Sequence, residues 1–538
     1  MGQAEWRAAS AALVWFPALA SIACGTSNDS GGSAAGGGSS QRPSGTAGTA
    51  AGNGTAGTAV GNGTAGTASD SGGAGTASDN GTAGTAADNG TAGTAAESGG
   101  AGGTAGTAHA ALGGTAGARE VGVAASGGCD FDIEADISAE IGTVGIVQWA
   151  VGLPEVERAE IQFGPDTDYG MTAPVDTSGG GNRFRTLLLG MKANREYHFK
   201  IRAHAGDADC SSGDRQITTG PLATNLPNVS VDTEDADAVA GGFLVTGTTQ
   251  GGPVYILDAD GDFVWWHDIP AVTRARMSYD GNYMWMGMGG GGSFLRVSMD
   301  GEDVEDFEDD FKGYTHDFAI LPDETVAFLA ADGVPYADGE CQQIAERAPD
   351  GTVHKVLNLR PIFTEDTRTC HANAIHYSPE DDTYVVSDPT HFAYVKVTRE
   401  GEVVWVLGGE TTDFPDFAET FLRRQHGFHI LDLNRLLIFN NTRPNEGDVS
   451  RPVELELDLE AMDVTEVWAY EPDPPLNNGY LGDVQRLPNG NTLVTFSAQG
   501  VIHELDPDGK VVETTTLALG DAIGYTMKRT SLYGPPPK

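Results

Sequence analysis

Two kinds of hydrophobic pattern alternate along the chain from about residue 225 to its end. In the first, an apolar strand, an acidic or glycine turn and a second apolar strand follow one another, as VYILDADGDFVWW, FLRVSMDGEDVEDF, QIAERAPDGTVHKVL, AYVKVTREGEVVWVL, VELELDLEAMDVTEVW and VIHELDPDGKVVETT. Between these stand shorter hairpins, MSYDGNYMWM, ILPDETVAFLA, HYSPEDDTYVVS, ILDLNRLLIFN and RLPNGNTLVTF, with VAGGFLVTG as the expected opening strand. Runs of this length bounded by turn residues predict strands. Two hairpins per unit make four strands, and a recurrence of roughly 40 to 60 residues is the mark of propeller blades. Six units predict six blades around a central channel.

Residues 127 to 222 carry another pattern. IVQWAV, AEIQFG, RFRTLLLG and EYHFKIRAHA are short segments separated by Gly, Pro, Asp and Asn, which predicts a small β-sandwich. Residues 25 to 126 are low-complexity, built on units such as NGTAGTAVG and NGTAGTASD. Such a segment buries too little apolar surface to offset the entropy of ordering, so a disordered Gly/Thr/Ala-rich linker is expected. Before it, Arg7 precedes AASAALVWFPALASIA, too short for a comfortable membrane span and ended by Cys24. This reads as an export signal. The expected order is signal 1–24, linker 25–126, sandwich 127–222 and propeller 223–538, an all-β fold class.

Charge narrows the partners. The net charge is −45, with 76 acidic against 31 basic residues, which argues against nucleic acid. An anionic ligand needs local positive groups to overcome this field. The Asp258, Asp260, Gly261 type of turn lacks the distal Glu of a calcium loop and recurs at equivalent turns, so tight-turn chemistry is expected. The acidic run 302–310 reads as a solvated edge. In an exported chain, Cys129, Cys210, Cys341 and Cys370 favour disulfides, and the domain layout suggests Cys129 with Cys210 and Cys341 with Cys370. No C-x-x-C spacing is present, so no metal site is expected from the cysteines. Ser21-Ile22-Ala23-Cys24 resembles a bacterial lipobox, with Ser21 where that pattern prefers Leu. The resemblance implies lipidation at Cys24, a membrane contact through this anchor alone, and a periplasmic or cell-surface lipoprotein; ordinary signal cleavage is the alternative.

The chemistry gathers at one register. Counting six residues back from Tyr279, Pro322, Pro379, Asp432 and Pro488 gives Thr273, His316, Asn373, His426 and Gly482, with His371 two before Asn373. Equivalent positions in successive blades face one another across the axis, so three histidines and an asparagine are expected at one mouth of the channel. His354, His376, His429 and His503 are expected to be packed or solvated.

HDFAILPDETVAFLA, HANAIHYSPEDDTYVVSD, QHGFHILDLNRLLIFNN and GDVQRLPNGNTLVTF together resemble the arylsulfotransferase family of exported bacterial propeller enzymes. LLLGMKANREYHFKIRA, with Tyr197 at a tyrosine corner, resembles the fibronectin type III signature. The first resemblance implies transfer of a sulfuryl group from an aryl sulfate to a phenol, without a nucleotide donor and without a cofactor. It implies His426 as nucleophile through a covalent sulfohistidine, with His371, His316 and Asn373 binding the sulfuryl oxygens and assisting proton transfer. Pro389 stands where the family commonly has an arginine, and FNN at 439–441 differs from its usual aromatic-Asp-Asn run. Arg274, Arg276, Arg424 and Arg443 are candidates to supply the missing cation, as is His391. Two other readings stay open: a non-catalytic surface-binding or adhesion propeller, and a metal-binding histidine cluster.

Overall fold

The computed structural model describes residues 127–287, 294–331, 342–363, 370–417, 421–441, 449–518 and 522–535. The signal, Cys24, the linker, Cys341 and Arg443 lie outside them. Among the described residues no helix is long and apolar enough to cross a membrane.

The N-terminal strands make two antiparallel sheets. Phe131–Ile137, Gly145–Val151 and Arg183–Leu188 form one, and a second is built around Arg158–Gly164 and Glu196–Ala205. Alternation along the strands sends Val147, Trp149, Val151, Ile161, Phe163, Phe199 and Ile201 into one shared core. The Cys129–Cys210 disulfide ties the start of this unit to the second sheet. Tyr197 Oη accepts a hydrogen bond from the Lys192 N–H at 2.8 Å, fixing the corner before the strand.

Six further antiparallel sheets follow one another, four of them with four strands drawn from consecutive chain. In Ala374–Ser378, Thr383–Asp388, Ala393–Thr398 and Val403–Gly408, for example, the shorter hairpin supplies the first two strands and the Asp/Gly-turn hairpin the outer two. The turns work as their residues require: Asp258 Oδ1 accepts the N–H groups of Asp260 and Asp262 at 3.0 and 2.9 Å, and Gly261 takes the left-handed φ of 81°. A register shift between the third and fourth strands recurs at Ile256/Leu257, Ile344/Ala345, Lys396/Val397, Glu454/Leu455 and Glu504/Leu505, curving each sheet at the same place.

The ends of the chain close this arrangement. The expected opening strand is second in its sheet: Phe243–Gly247 pairs on one side with Val254–Leu257 and on the other with the C-terminal strand Met527–Arg529. That strand also reaches the last sheet, where Lys528 N–H donates to Gln485 Oε1 at 2.7 Å and Gln485 Nε2 donates to the Lys528 carbonyl at 3.0 Å. Meanwhile Asn228–Thr233, which carries no hairpin signal, pairs with the outer edge of Val511–Ala518. The start and the end of this six-sheet array are thereby interlocked, a strand from its start joining the last sheet and a strand from its end joining the first.

The sandwich is anchored on the first two of these sheets. Thr143 Oγ1 donates to the Val264 carbonyl at 2.8 Å, and Arg185 pairs with Asp300 and Glu302 at 2.5 and 2.9 Å. Lys192 Nζ lies 3.1, 2.5 and 2.7 Å from Asp258, Asp260 and Asp262, so an ammonium occupies the centre of the acidic turn. These contacts raise the Lys192 pKa despite its partial burial, and the ammonium holds the Asp260 carboxyl below its usual range.

Lys192→Met should lower stability by about 1–2 kcal/mol, since it removes the ammonium and leaves three carboxylates facing one another. Thermal unfolding at pH 7 and in increasing acid checks it: the gap should shrink as pH falls through the depressed Asp260 pKa and the folded state loses that charge.

Candidate active site

The inner strands Arg274–Met277, Tyr314–Ile320, Ala374–Ser378, Phe428–Asp432 and Asp483–Arg486 stand side by side in chain order. Just before them lies the histidine cluster. His316 sits in a bulge of its strand, between the pairings of Tyr314 and Phe318, with a left-handed φ of 51°. That conformation costs a non-glycine residue about 1–3 kcal/mol and re-aims the ring out of the ladder. Its imidazole meets His371 edge to face, the ring centroids 4.7 Å apart. Burial, together with the nearby His371 and His426 rings, pushes the His316 pKa down to about 3.

His426 is 3% exposed, and its ring orientation is set from behind. Nδ1 lies 2.6 Å from the Arg424 carbonyl oxygen and 2.9 Å from Asn441 Oδ1. The Asn441 amide is itself oriented, because its Nδ2 donates to the carbonyls of Asn478 and Leu481, both at 2.6 Å. Two acceptors facing Nδ1 require the proton there, so Nε2 carries the lone pair. Burial, reinforced by the neighbouring His371 and the Arg424 charge, outweighs these hydrogen bonds and lowers the His426 pKa to about 4. Burial lowers that of His371 as well, against the pull of Asp388. Near neutral pH the three rings are therefore imidazoles, and proton donation in the cluster falls to neutral N–H groups rather than to an imidazolium.

Asn373 is fully buried beside His426: its Nδ2 donates to the Gln425 carbonyl at 2.8 Å, while its Oδ1 has no hydrogen-bond partner. It thus clamps the residue before the nucleophile candidate. Gln425 in turn donates to the Asp388 and Ala393 carbonyls at 3.0 and 3.2 Å. Asp388, next to Pro389, is a hub: its carboxylate accepts the His371 N–H at 3.2 Å and contacts His391 Nδ1 at 3.0 Å. His391 stacks on Phe363 behind this hub, so it does not stand in for an arginine at the cluster.

Arg274 also departs from expectation. It is buried one layer below the histidines, where Nε and Nη2 bind Asp317 at 2.8 and 3.2 Å and Nη1 binds Asp483 at 2.8 Å. Its guanidinium lies over the Tyr525 ring at 4.2 Å, and Tyr525 Oη donates to the Asn373 carbonyl at 2.6 Å. The expected ligand-binding cation is therefore part of an ion-paired floor. Arg276 faces the far side of that floor, 3.6 Å from Asp317. Arg424 is exposed, has a left-handed φ of 51°, and is the arginine whose charge reaches His426. Gly427 is required by the same floor, since a Cβ there would lie 2.1 Å from Asp483 Oδ1.

Two groups of potential metal ligands converge among the described residues: Cys370, Asp388 and His391, and Asp258, Asp260 and Asp262. Cys370 is disulfide-bonded, which removes the thiolate, and Lys192 fills the second group. Neither donor set fits an ion as it stands.

Residues 362–517 match the family model for arylsulfotransferases (ASST). Over this segment, which is less than a third of its length, the chain is similar to the arylsulfotransferase family. His371, Asn373 and His426 fall within the matched stretch, as do Gln425, Asn441 and Asp483; His316, Asp317 and Arg274 precede it. No curated protein matches the chain. Similar solved structures include a protein of unknown function from Bacteroides caccae, at 14% identity over 53% of this chain and 98% of that one with a TM-score of 0.38. Another is virginiamycin B lyase from Staphylococcus aureus, at 12% identity over 54% and 100% with a TM-score of 0.33.

Asn441, Asp388, Asp317, Asp483 and Tyr525 are the members of the candidate site that motif reading passed over. One signal was available: five residues back from the five turn positions stand Arg274, Asp317, Ala374, Gly427 and Asp483, opposite charges and small residues at one register. Arg274→Met should destabilise the fold by about 3–5 kcal/mol, because it leaves two buried carboxylates facing each other. Denaturant unfolding measures this, and Arg274→Met combined with Asp317→Asn and Asp483→Asn should recover part of the loss.

Proposed function

We propose that the protein is an exported arylsulfotransferase in which His426 carries the sulfuryl group. The observation that supports this reading best is the tautomer of His426: with Nδ1–H held by Arg424 O and Asn441 Oδ1, Nε2 is an unprotonated nucleophile at neutral pH. In the first step Nε2 attacks sulfur, the N–S bond forms and the aryl S–O bond breaks. The aryl oxygen leaves as a phenolate and takes a proton from solvent or a neighbouring N–H. The sulfated ring is then an N-sulfoimidazolium, and the two acceptors on Nδ1–H stabilise its charge. In the second step a phenol oxygen attacks sulfur, the N–S bond breaks, and the phenolic proton is released.

His316, His371 and the Asn373 amide are placed in this scheme as donors to the sulfuryl oxygens, where transition-state charge accumulates. Arg424 takes the part of the arginine replaced by Pro389. Export and lipidation at Cys24 belong to the same proposal, and the substrates are an aryl sulfate and a phenol.

The purified protein should transfer sulfate from 4-nitrophenyl sulfate to a phenol, and inertness over a broad donor panel would overturn the proposal. His426→Ala should reduce transfer to background with the fold intact by circular dichroism; full activity in that variant would show another group to be the nucleophile. Asn441→Leu should cut the rate by about 10- to 100-fold, by releasing the tautomer and withdrawing support from the imidazolium.

The acid limb of the rate should follow the depressed pKa. Protonating Nε2 removes the lone pair, so activity should hold as pH falls through 6.5 and decline only toward about 4. A midpoint near 6.5 would mean that the nucleophile titrates as an unperturbed histidine.

A further inference from the structure

The ion-paired floor has a second side. Past it, toward the turn ends of the inner strands, lies a cavity of about 730 Å³. Its floor is Arg274 and Asp483, and Arg276, Arg529, His376 and His429 line it. The walls between are largely apolar, including Met277, Ile320, Ile430, Leu431 and Met527.

The polar groups here are under-used. Arg276 Nε and Nη2 have no hydrogen-bond partner, and its carboxylate contact, Asp317, is at the long distance of 3.6 Å. Burial and the adjacent Arg274 lower its pKa to about 10, which leaves it charged at pH 7. Arg529 is 1% exposed; Nε and Nη2 donate to the Ser531 and Gly534 carbonyls at 3.1 and 2.8 Å, and Nη1 has no partner. His376 Nε2 is likewise unpartnered. His429 accepts the Arg486 N–H through Nδ1 at 3.0 Å, so its Nε2 carries the proton. The lining carboxylates other than Asp483, namely Glu380 and Asp432, are exposed.

We infer that this cavity is a binding site for a small organic anion, one with an apolar body and a carboxylate or similar oxoanion head, separate from the histidine cluster. A dedicated pocket of this size combines apolar walls with a few convergent polar groups. Guanidinium forks match the geometry of a planar oxoanion, and leaving their N–H groups buried and unfilled is costly. Asp317 and Asp483 already neutralise Arg274, and among the described residues no carboxylate pairs with Arg529. The bound head would therefore lie toward Arg276 and Arg529, with the His429 Nε2–H as a further donor and the body against the aliphatic wall. The site is independent of whether His426 transfers sulfate, because the floor of Arg274, Asp317, Asp483 and Tyr525 stands between the two.

Benzoate is a suitable probe, with benzamide as its neutral counterpart and inorganic phosphate as a head without a body. Calorimetric titration of the wild-type protein should detect benzoate, with benzamide and phosphate each at least about 10-fold weaker. Arg276→Gln should weaken benzoate by about 10-fold or more, while His426→Ala should bind it as the wild type does. If Arg276→Gln does not fold, Ile430→Glu, which places a carboxylate on the partly exposed wall, should give the same loss. Absence of benzoate binding to the wild type, binding unchanged in the folded cavity variant, or binding lost in His426→Ala would each overturn the inference. Loss of sulfate transfer in His426→Ala with benzoate binding retained would separate this site from the proposed catalytic one.

Discussion

The buried ion triad of Arg274 with Asp317 and Asp483 is the constraint on which the axis of the protein depends. Three charges removed from water stay favourable only if every donor and acceptor is met. The structure meets them with backbone as well as side chains: Asp317 also accepts the Ile375 N–H at 3.0 Å, and Asp483 the Thr526 N–H at 3.1 Å. Strands from four different sheets are thereby locked to one another. Small residues at the matching register, Ala374 and Gly427, leave room for the carboxylates. Such a layer adds less to stability than an apolar plug of the same shape could, but it tolerates few alternative alignments of the inner strands.

The same floor determines the surroundings of His426. A wide polar channel would keep the imidazoles hydrated and titrating near 6.5. Closure from below, with Tyr525 bridging Arg274 and Asn373, desolvates them instead. Low pKa values then follow from burial first and from mutual proximity second. Asn441 and Asp388 supply the rest of the control, one selecting the ring proton of His426 and the other tying the His371 and Gln425 segments together. The departures from family pattern noted in the sequence thus stand beside positions that carry structural work: Asn440 precedes Asn441 in the FNN run, and Pro389 follows Asp388.

Much of the fold was legible because its units repeat. Alternation and Asp/Gly turns mark strands locally, and repetition multiplies a weak signal. The histidines were legible for the same reason, since a fixed distance from the turn places residues at one height on the axis. Arg274 misled because position alone does not reveal whether a charge is free: the distance from the turn places it near the axis, but its partners come from sheets more than forty and two hundred residues away in sequence. His316 needed a bulge and a left-handed backbone to reach His371, neither of which the pattern HDFAI announces.

By itself, then, the sequence determined the all-β class, the alternating hairpins, the turn chemistry and the height at which His316, His371 and His426 lie, because each depends on local periodicity. Only the tertiary structure decided which strand begins the first sheet, which arginine is neutralised, which nitrogen of His426 is bare, and which side of the floor a cavity opens on. Those outcomes depend on contacts between residues far apart in the chain, where packing and desolvation act together and no local pattern records the result.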